Sequence, residues 1–364
     1  MSSTTRLRSL QWTGVVPVLA LSMMAATWGT KPGAVVLIVV GGFLAGAVLA
    51  AVHHAEVVAH RVGEPFGSIV LAVAVTVIEV ALIVTLMVAG GTETATLARD
   101  TVFAAVMITC NGIVGLSLLT ATLRHRVATF NAEGTASALA TVATLATLTL
   151  VLPTFTTSRP AAEFSPSQLA FAAVASVALY GLFLVIQTVR HRDYFLPVGA
   201  AADDPERHAA RPSDREAVTS LALLVVALVA VVGLAKTESP AIEDAVEAIG
   251  APLSAVGVVI ALLVLLPETL AAFRNARHDR VQTSFNLAFG SAMASIALTI
   301  PAIAVASIWL DGPLVLGLGA MHMVLLAITV VVAALTVLPG RATLQESGVH
   351  LVLFGAFLFL AFNP

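Results

Sequence analysis

Charge is scarce in this sequence. Only 11% of the residues are Asp, Glu, Lys or Arg, against about 25% in a soluble globular domain. With 59% hydrophobic residues and a mean hydropathy of +0.99, that deficit excludes the water-soluble fold classes. What remains is an all-α polytopic membrane protein. A single cysteine, Cys110, excludes an intrachain disulfide framework. Aromatic residues are few, at 6%, while the abundant Ala and Gly suit closely packed helices. No Walker loop, Gly-x-Ser-x-Gly or His-Glu-x-x-His occurs, so an ATP-driven pump or an intramembrane hydrolase would lack its machinery. No enzymatic activity, cofactor or nucleic-acid partner is expected; the partners are the lipid bilayer, a cation and protons, and a homo-oligomer is compatible with the sequence.

Eleven apolar segments are long enough for roughly 30 Å of hydrocarbon. They lie near 13–29, 33–52, 66–90, 99–123, 134–156, 167–189, 217–236, 250–273, 284–309, 313–338 and 347–362. Arg6 and Arg8 precede the first, as in the basic end of a signal peptide; with spans following throughout, a retained first span is expected.

The basic residues alternate between loops. Arg6, Arg8, Arg61, Arg124, Arg126, Arg190, Arg192, Arg207, Arg211, Arg215, Arg274, Arg277, Arg280 and Arg341 fall in the N-terminus and the even-numbered loops, whereas Lys31, Arg99, Arg159 and Lys236 fall in the odd ones. Cytoplasmic loops carry the basic excess. The expected orientation is therefore an N-terminus in the cytoplasm and a C-terminus outside, in the cell (inner) membrane.

The longest connection, 190–216, is polar and proline-marked and reads as a cytoplasmic linker. It divides an N-terminal helix (1–30) and a first five-helix repeat (31–189) from a second five-helix repeat (217–364). Five is odd, so the two repeats have opposite topology, an arrangement found in many secondary transporters. Internal echoes support this. Gly63-Glu64-Pro65 precedes Glu79 and Gly250-Ala251-Pro252 precedes Glu268, with glycine-to-glutamate spacings of 16 and 18.

Those two glutamates are the chemistry. Glu79 is the only charge between Pro65 and Thr92, and Glu268 the only one between Ala248 and Phe273. A carboxylate near the bilayer centre costs roughly 2.5–3.5 kcal/mol on insertion scales, and no basic residue lies in any span core to pair with it. Two carboxylates that share a site cannot both stay ionised without a cation. They hold a cation or protons in alternation, the physical basis of cation/proton exchange, and they are the expected metal ligands.

Further oxygens lie close in sequence. Pro267 has no N–H for the carbonyl of Leu263, leaving a backbone oxygen beside Glu268 for a hard cation. Thr76 is three residues before Glu79 and can offer its hydroxyl on the same helix face. Asn111, Ser291 and Ser295 lie in the spans that follow, where an amide wants a partner and a serine also serves close packing. Glu56, His60 and Glu64 share one face at i, i+4, i+8, and Glu243 and Glu247 share another. Each set reads either as the solvated face of an interfacial helix or as a collector of cations. His322 reads as a proton relay or as a hydrogen-bonded bundle histidine; His350 is a weaker case.

The order Glu56…Gly63-Glu64-Pro65…Thr76-Val77-Ile78-Glu79, then Pro267-Glu268, then Gly290-Ser291…Ile300-Pro301 resembles the calcium/cation antiporter superfamily, and within it the bacterial Ca²⁺/H⁺ exchangers of the ChaA type. The resemblance covers about residues 50–125 and 240–310. It implies two inverted repeats, each with a glutamate that takes the cation or the proton, here Glu79 and Glu268. Both motifs lack the family's Gly-Asn pair, and Ala294 stands where plant and fungal exchangers have glutamine. The implied activity is Ca²⁺/H⁺ antiport, with Na⁺ or K⁺ as alternative ions. A cation channel is the competing class; it would favour a ring of identical subunits around one pore, whereas two unlike halves each giving one glutamate suit a site within one chain.

Overall fold

The computed structural model describes residues 3–30, 32–63, 66–90, 94–198, 212–248, 250, 252, 254–309 and 312–363. Glu64 and residues 199–211 of the 190–216 linker lie outside these residues, as do the side chains of Glu243 and Glu247. The described chain is helical almost throughout. In order it runs α1 (Ser3–Thr27), α2 (Ala34–Val62), α3 (Phe66–Gly90), α4 (Leu97–Met107), a π turn (Ile108–Ile113), α5 (Val114–His125), β1 (Ala128–Thr129), α6 (Ala132–Ala146), a π turn (Thr147–Val151), α7 (Leu152–Phe155) and α8 (Pro166–Val185). After a π turn (Ile186–Arg190) come α9 (Asp214–Ala248), α10 (Ser254–Val264), α11 (Leu266–Arg277), α12 (Val281–Ala294), a π turn (Ser295–Thr299), α13 (Ile300–Ala306), α14 (Ala320–Val337), β2 (Arg341–Ala342) and α15 (Leu344–Phe362).

Among the described residues, nine helical stretches are long and apolar enough to cross a membrane, and ten when the bent pair α10–α11 counts as one. Trp12–Thr27 is apolar but shorter. Each of the eleven apolar segments thus holds a helix. Local chemistry sets several ends. Asn131 accepts from Gly134 N–H at 3.0 Å to start α6. Ser165 with Gln168, and Thr343 with Glu346, form capping boxes at α8 and α15. Gly63 closes α2 at φ +78°, a backbone conformation that costs glycine no steric penalty.

Three segments differ from the sequence expectation. The polar stretches 53–61 and 242–247 are not separate interfacial helices but the ends of α2 and α9, which reach 29 and 35 residues. Alanine, valine and glutamate continue those helices, and α9 runs on through Pro240. The tenth span starts at Ala320, not 313, because Gly312, Pro313, Gly317 and Gly319 disfavour helix. The extended stretch before it is satisfied by backbone partners: Val315 N–H donates to Ala95 O at 3.2 Å, Gly317 to Ala162 O at 3.0 Å and Leu318 to Leu150 O at 2.8 Å. Irregular backbone at membrane depth is tolerated where it is enclosed in protein, and Leu316 and Leu318 are buried.

The chain packs as two compact units. The first comprises 1–90 and 209–250, the second 91–208 and 251–364. In the first, α9 packs along α2 and touches α1 and α3. His54 Nε2 lies 3.0 Å from Thr13 O and ties α2 to α1. Arg61 Nε donates to Asp214 Oδ1 at 2.8 Å.

In the second unit the buried stretch α4–π turn–α5 is the spine. It carries Phe103, Met107, Ile113 and Leu118 into the core with Phe285 and Phe289 of α12. α10 lies on α4, and α15 on α5. One end of this unit gathers the connections after α5, α11 and α14: β1 pairs antiparallel with β2, Arg124 donates to the Arg277 carbonyl, and His125 meets Asp279 at 2.7 Å. The opposite end gathers residues 95, 162 and 312–319 through the bonds given above. Even-numbered and odd-numbered loops of this unit thus lie at opposite ends, the alternation that the arginines suggest.

Candidate ion-exchange site

The second unit contains a broken helix. α10 stops at Val264, α11 starts at Leu266, and the axis turns by 50°. Leu265, at φ −87° and ψ 1°, sits in the sparsely allowed bridge region. Its N–H still reaches Ala261 O at 2.9 Å, and its carbonyl still accepts from Thr269 N–H at 2.9 Å. Pro267 has no N–H to offer the Leu263 carbonyl. The break therefore sets the carbonyl end of α10, with roughly half a negative charge, beside the amide end of α11, with roughly half a positive one.

Glu268 lies in the first turn of α11 and is 9% exposed. That position helps a buried carboxylate survive here, because the amide end of a helix favours a negative charge. The Leu263 carbonyl and the Glu268 carboxylate belong to the same break. Both are hard oxygen donors of the kind that suit Ca²⁺, Na⁺ or K⁺.

The elements around the break bring further named residues into the same unit. α11 packs on α12, and the π turn 108–113 packs on both. Asn111 is fully buried in that turn; its Nδ2 donates to Thr329 Oγ1 of α14 at 2.9 Å, and its Oδ1 faces His350 Nδ1 of α15 at 3.1 Å. Cys110, the sole thiol, is enclosed next to it, with Sγ 3.9 Å from Thr109 Oγ1. Ser291 is half-buried on α12, and beside it a Cβ added to Gly290 would meet no atom within 4 Å. Ser295 is buried at the start of the π turn that follows.

Glu79 belongs to the first unit. It lies on α3, is 4% exposed, and has Thr76 buried one turn earlier on the same helix. α3 runs unbroken from Phe66 to Gly90, without a proline, so the first glutamate sits in a continuous helix and the second in a broken one. Glu56 and His60 are exposed near the end of α2, which fits the solvated-face reading. His322 is half-buried in the first turn of α14, its ring 4.8 Å from that of Phe103.

Several polar residues were missed or undervalued in the sequence. Glu238 lies buried on α9, and a Cβ added to Gly41 would stand 3.8 Å from its Oε1; the signal was an acid two residues after the apolar run 217–236. Asp100 is buried and pairs with Arg99 at 2.7 Å, while Thr96 donates to its Oδ2 at 2.8 Å. Arg99 is thus not a plain loop charge, and its Nη1 also donates to Gly317 O at 3.1 Å. His350, fully buried, is more than a peripheral histidine, and no local pattern announces a partner 239 positions away.

Comparison with known proteins agrees with this layout. A family model described as sodium/calcium exchanger protein matches residues 32–189 and 219–363. The chain is 35% identical over 354 residues to the sodium-potassium/proton antiporter ChaA of Escherichia coli (strain K12), covering 96% of this chain and 95% of that one. It is 45% identical over 356 residues to a protein of Sinorhizobium fredii (strain NBRC 101917 / NGR234) named as an ionic transporter, y4hA, covering 97% and 96%. Its fold is similar to that of the H⁺/Ca²⁺ exchanger CAX in a crystal structure, with a TM-score of 0.72 at 16% identity over 99% of this chain and 93% of that one.

Proposed function

The chain belongs to the sodium/calcium exchanger protein family, a family of multi-pass membrane cation antiporters, and from that premise we propose that it exchanges a cation for protons through the alternating ionisation of Glu79 and Glu268. The observation that carries this reading is the break at Leu265. It puts a proline-freed carbonyl and a buried carboxylate at opposed helix ends within the span, which is how discontinuous transporter helices bind ions. A buried carboxylate is costly as a bare charge. It is relieved by a cation or by a proton, so loading one expels the other, and the exchange needs neither ATP nor a cofactor.

The transported ion is drawn from Ca²⁺, Na⁺ and K⁺. Likeness to a sodium-potassium/proton antiporter supports the monovalent ions, whereas two carboxylates, with a summed charge of −2, suit a divalent one. Thr76 and the Leu263 carbonyl are proposed as neighbouring oxygens, and Asn111 and Ser291 as groups along the cation path. Glu56, His60, Glu64, Glu243, Glu247 and His322 stay outside the ligand set. The division into two five-helix repeats is supported by the two separately matched stretches, 32–189 and 219–363.

Purified protein in proteoliposomes tests this. With a pH gradient imposed, Ca²⁺, Na⁺ or K⁺ should be taken up against its own gradient while protons leave. A conductance without a counter-gradient would identify a channel instead, and absence of coupled flux with all three ions would end the antiporter reading for these cations.

The proposed orientation places the N-terminus in the cytoplasm and the C-terminus outside the inner membrane. A membrane-impermeant thiol reagent should reach a cysteine tag at the C-terminus of intact cells and miss one placed in 200–212. Labelling of both tags from outside would overturn the orientation.

A further inference from the structure

The buried polar network around Asn111 has a direction that follows from its partners once the Thr329 hydroxyl is given to Met107. Met107 Sδ can only accept, and Thr329 Oγ1 lies 3.6 Å from it, so the Thr329 hydroxyl donates there and its oxygen is left to accept. Asn111 Nδ2–H fills that role at 2.9 Å. The amide oxygen must then face His350, and since a carbonyl only accepts, His350 Nδ1 carries the hydrogen across the 3.1 Å contact. On its far side His350 Nε2 lies 3.1 Å from Thr336 Oγ1, whose hydroxyl can donate to it.

The backbone is shaped for this contact. α15 presses on the spine at two glycines. A Cβ at Gly115 would stand 3.1 Å from His350 Cβ and 3.0 Å from Leu351 Cγ; one at Gly112 would stand 3.4 Å from the Phe354 ring. One turn before His350, Ser347 Oγ donates to Gly115 O at 3.0 Å. Any larger residue at 115 would push the imidazole away from Asn111.

We propose that His350 is a positioning residue that holds the Asn111 amide in one of its two flips. An asparagine side chain is nearly isosteric under a half-turn. In the reversed flip Nδ2–H would meet Nδ1–H, donor against donor, so the imidazole would have to change tautomer, and the Thr329 hydroxyl would have to turn from Met107 Sδ to the amide oxygen. His350 and Thr329 together therefore favour one flip by about ten- to a hundredfold, and the residue in the π turn presents the same atoms to a passing cation in every cycle. Outer partners that orient a ligand in this way typically change affinity by about 10–100-fold when removed. This inference rests on the reading that Asn111 belongs to the cation path.

The test is the cation dependence of proton-driven flux in proteoliposomes, with Ca²⁺, Na⁺ and K⁺ in turn. His350→Leu should raise the half-saturating cation concentration by about tenfold with the maximal rate retained. His350→Asn puts an amide N–H where Nδ1–H stands, and should bring that concentration back to within about twofold of wild type. Asn111→Ala combined with His350→Leu should be no worse than Asn111→Ala alone. Should His350→Leu not fold, Thr329→Val removes the other orienting partner and should give the same rise. Unchanged half-saturation in His350→Leu, no rescue by His350→Asn, or additive effects in the double variant would each overturn the proposal. Should Asn111→Ala itself leave half-saturation unchanged, the placing of Asn111 on the cation path has failed, and the positioning role falls with it.

Discussion

Glu79→Gln and Glu268→Gln are each expected to reduce cation/proton exchange to background while the protein remains expressed and folded. Glutamine keeps the side-chain volume and one carbonyl oxygen but loses the charge and the titratable proton. On the proposed mechanism, losing one carboxylate halves the negative charge offered to a divalent ion. It also ends the alternation between cation and proton on that residue. Folding should survive, since a neutral amide in the membrane costs less than a carboxylate, and Glu268 sits in a helix turn whose amide end a neutral group can also occupy. The aspartate variants should be milder but still impaired, because the carboxylate retracts by one methylene and coordination at about 2.3–2.6 Å tolerates little retraction. Flux in proteoliposomes, with expression and thermal melting as controls, checks both positions. Near-normal proton-driven flux in either glutamine variant would remove that residue from the mechanism.

Gly257→Leu should strongly damage the fold of the second unit. A Cβ at Gly257 of α10 would stand 2.9 Å from Thr101 N and 3.1 Å from Asp100 C of α4, so the two backbones meet with no room for a side chain. The contact lies beside the Arg99–Asp100 pair and in the half-helix that leads into the break before Glu268. A leucine has to part α10 from α4. Overpacking of this kind costs about 1–3 kcal/mol and occasionally more, and against rigid backbone the cost should reach about 3 kcal/mol, close to half the total stability of a marginal domain. Alanine already oversteps the available space and should fall between wild type and leucine. Thermal unfolding in detergent measures the series; a leucine variant that melts as high as wild type would contradict the close approach.

Much of the helical plan was legible in the sequence because apolar run length reports directly on membrane crossing. Glu79, Glu268 and the break at Pro267 were legible for a related reason: a charge or a proline stands out against an apolar background. What escaped was set by tertiary partners. The π turn at 108–113 has no periodicity signal, and Asn111 finds its partners 218 and 239 positions away. The extended stretch before Ala320 reads as apolar span, and only the backbone carbonyls of residues 95, 150 and 162, which accept from its N–H groups, show why it need not be helical. The ends of α2 and α9 look polar enough for separate elements, yet nothing in their local chemistry stops a helix. Gly257 is one small residue among many in the sequence; its meaning lies in what α4 places against it.

The enclosure of Cys110 has a practical consequence for following the exchange cycle. The chain's single thiol is buried and lies next to Asn111. In this conformation the native protein should therefore stay silent towards maleimides and other alkylating reagents, and single cysteines can be introduced one at a time without first building a thiol-free background. Any reaction that did develop at Cys110 during turnover would then time the opening of the π turn itself, from a reporter the protein already carries.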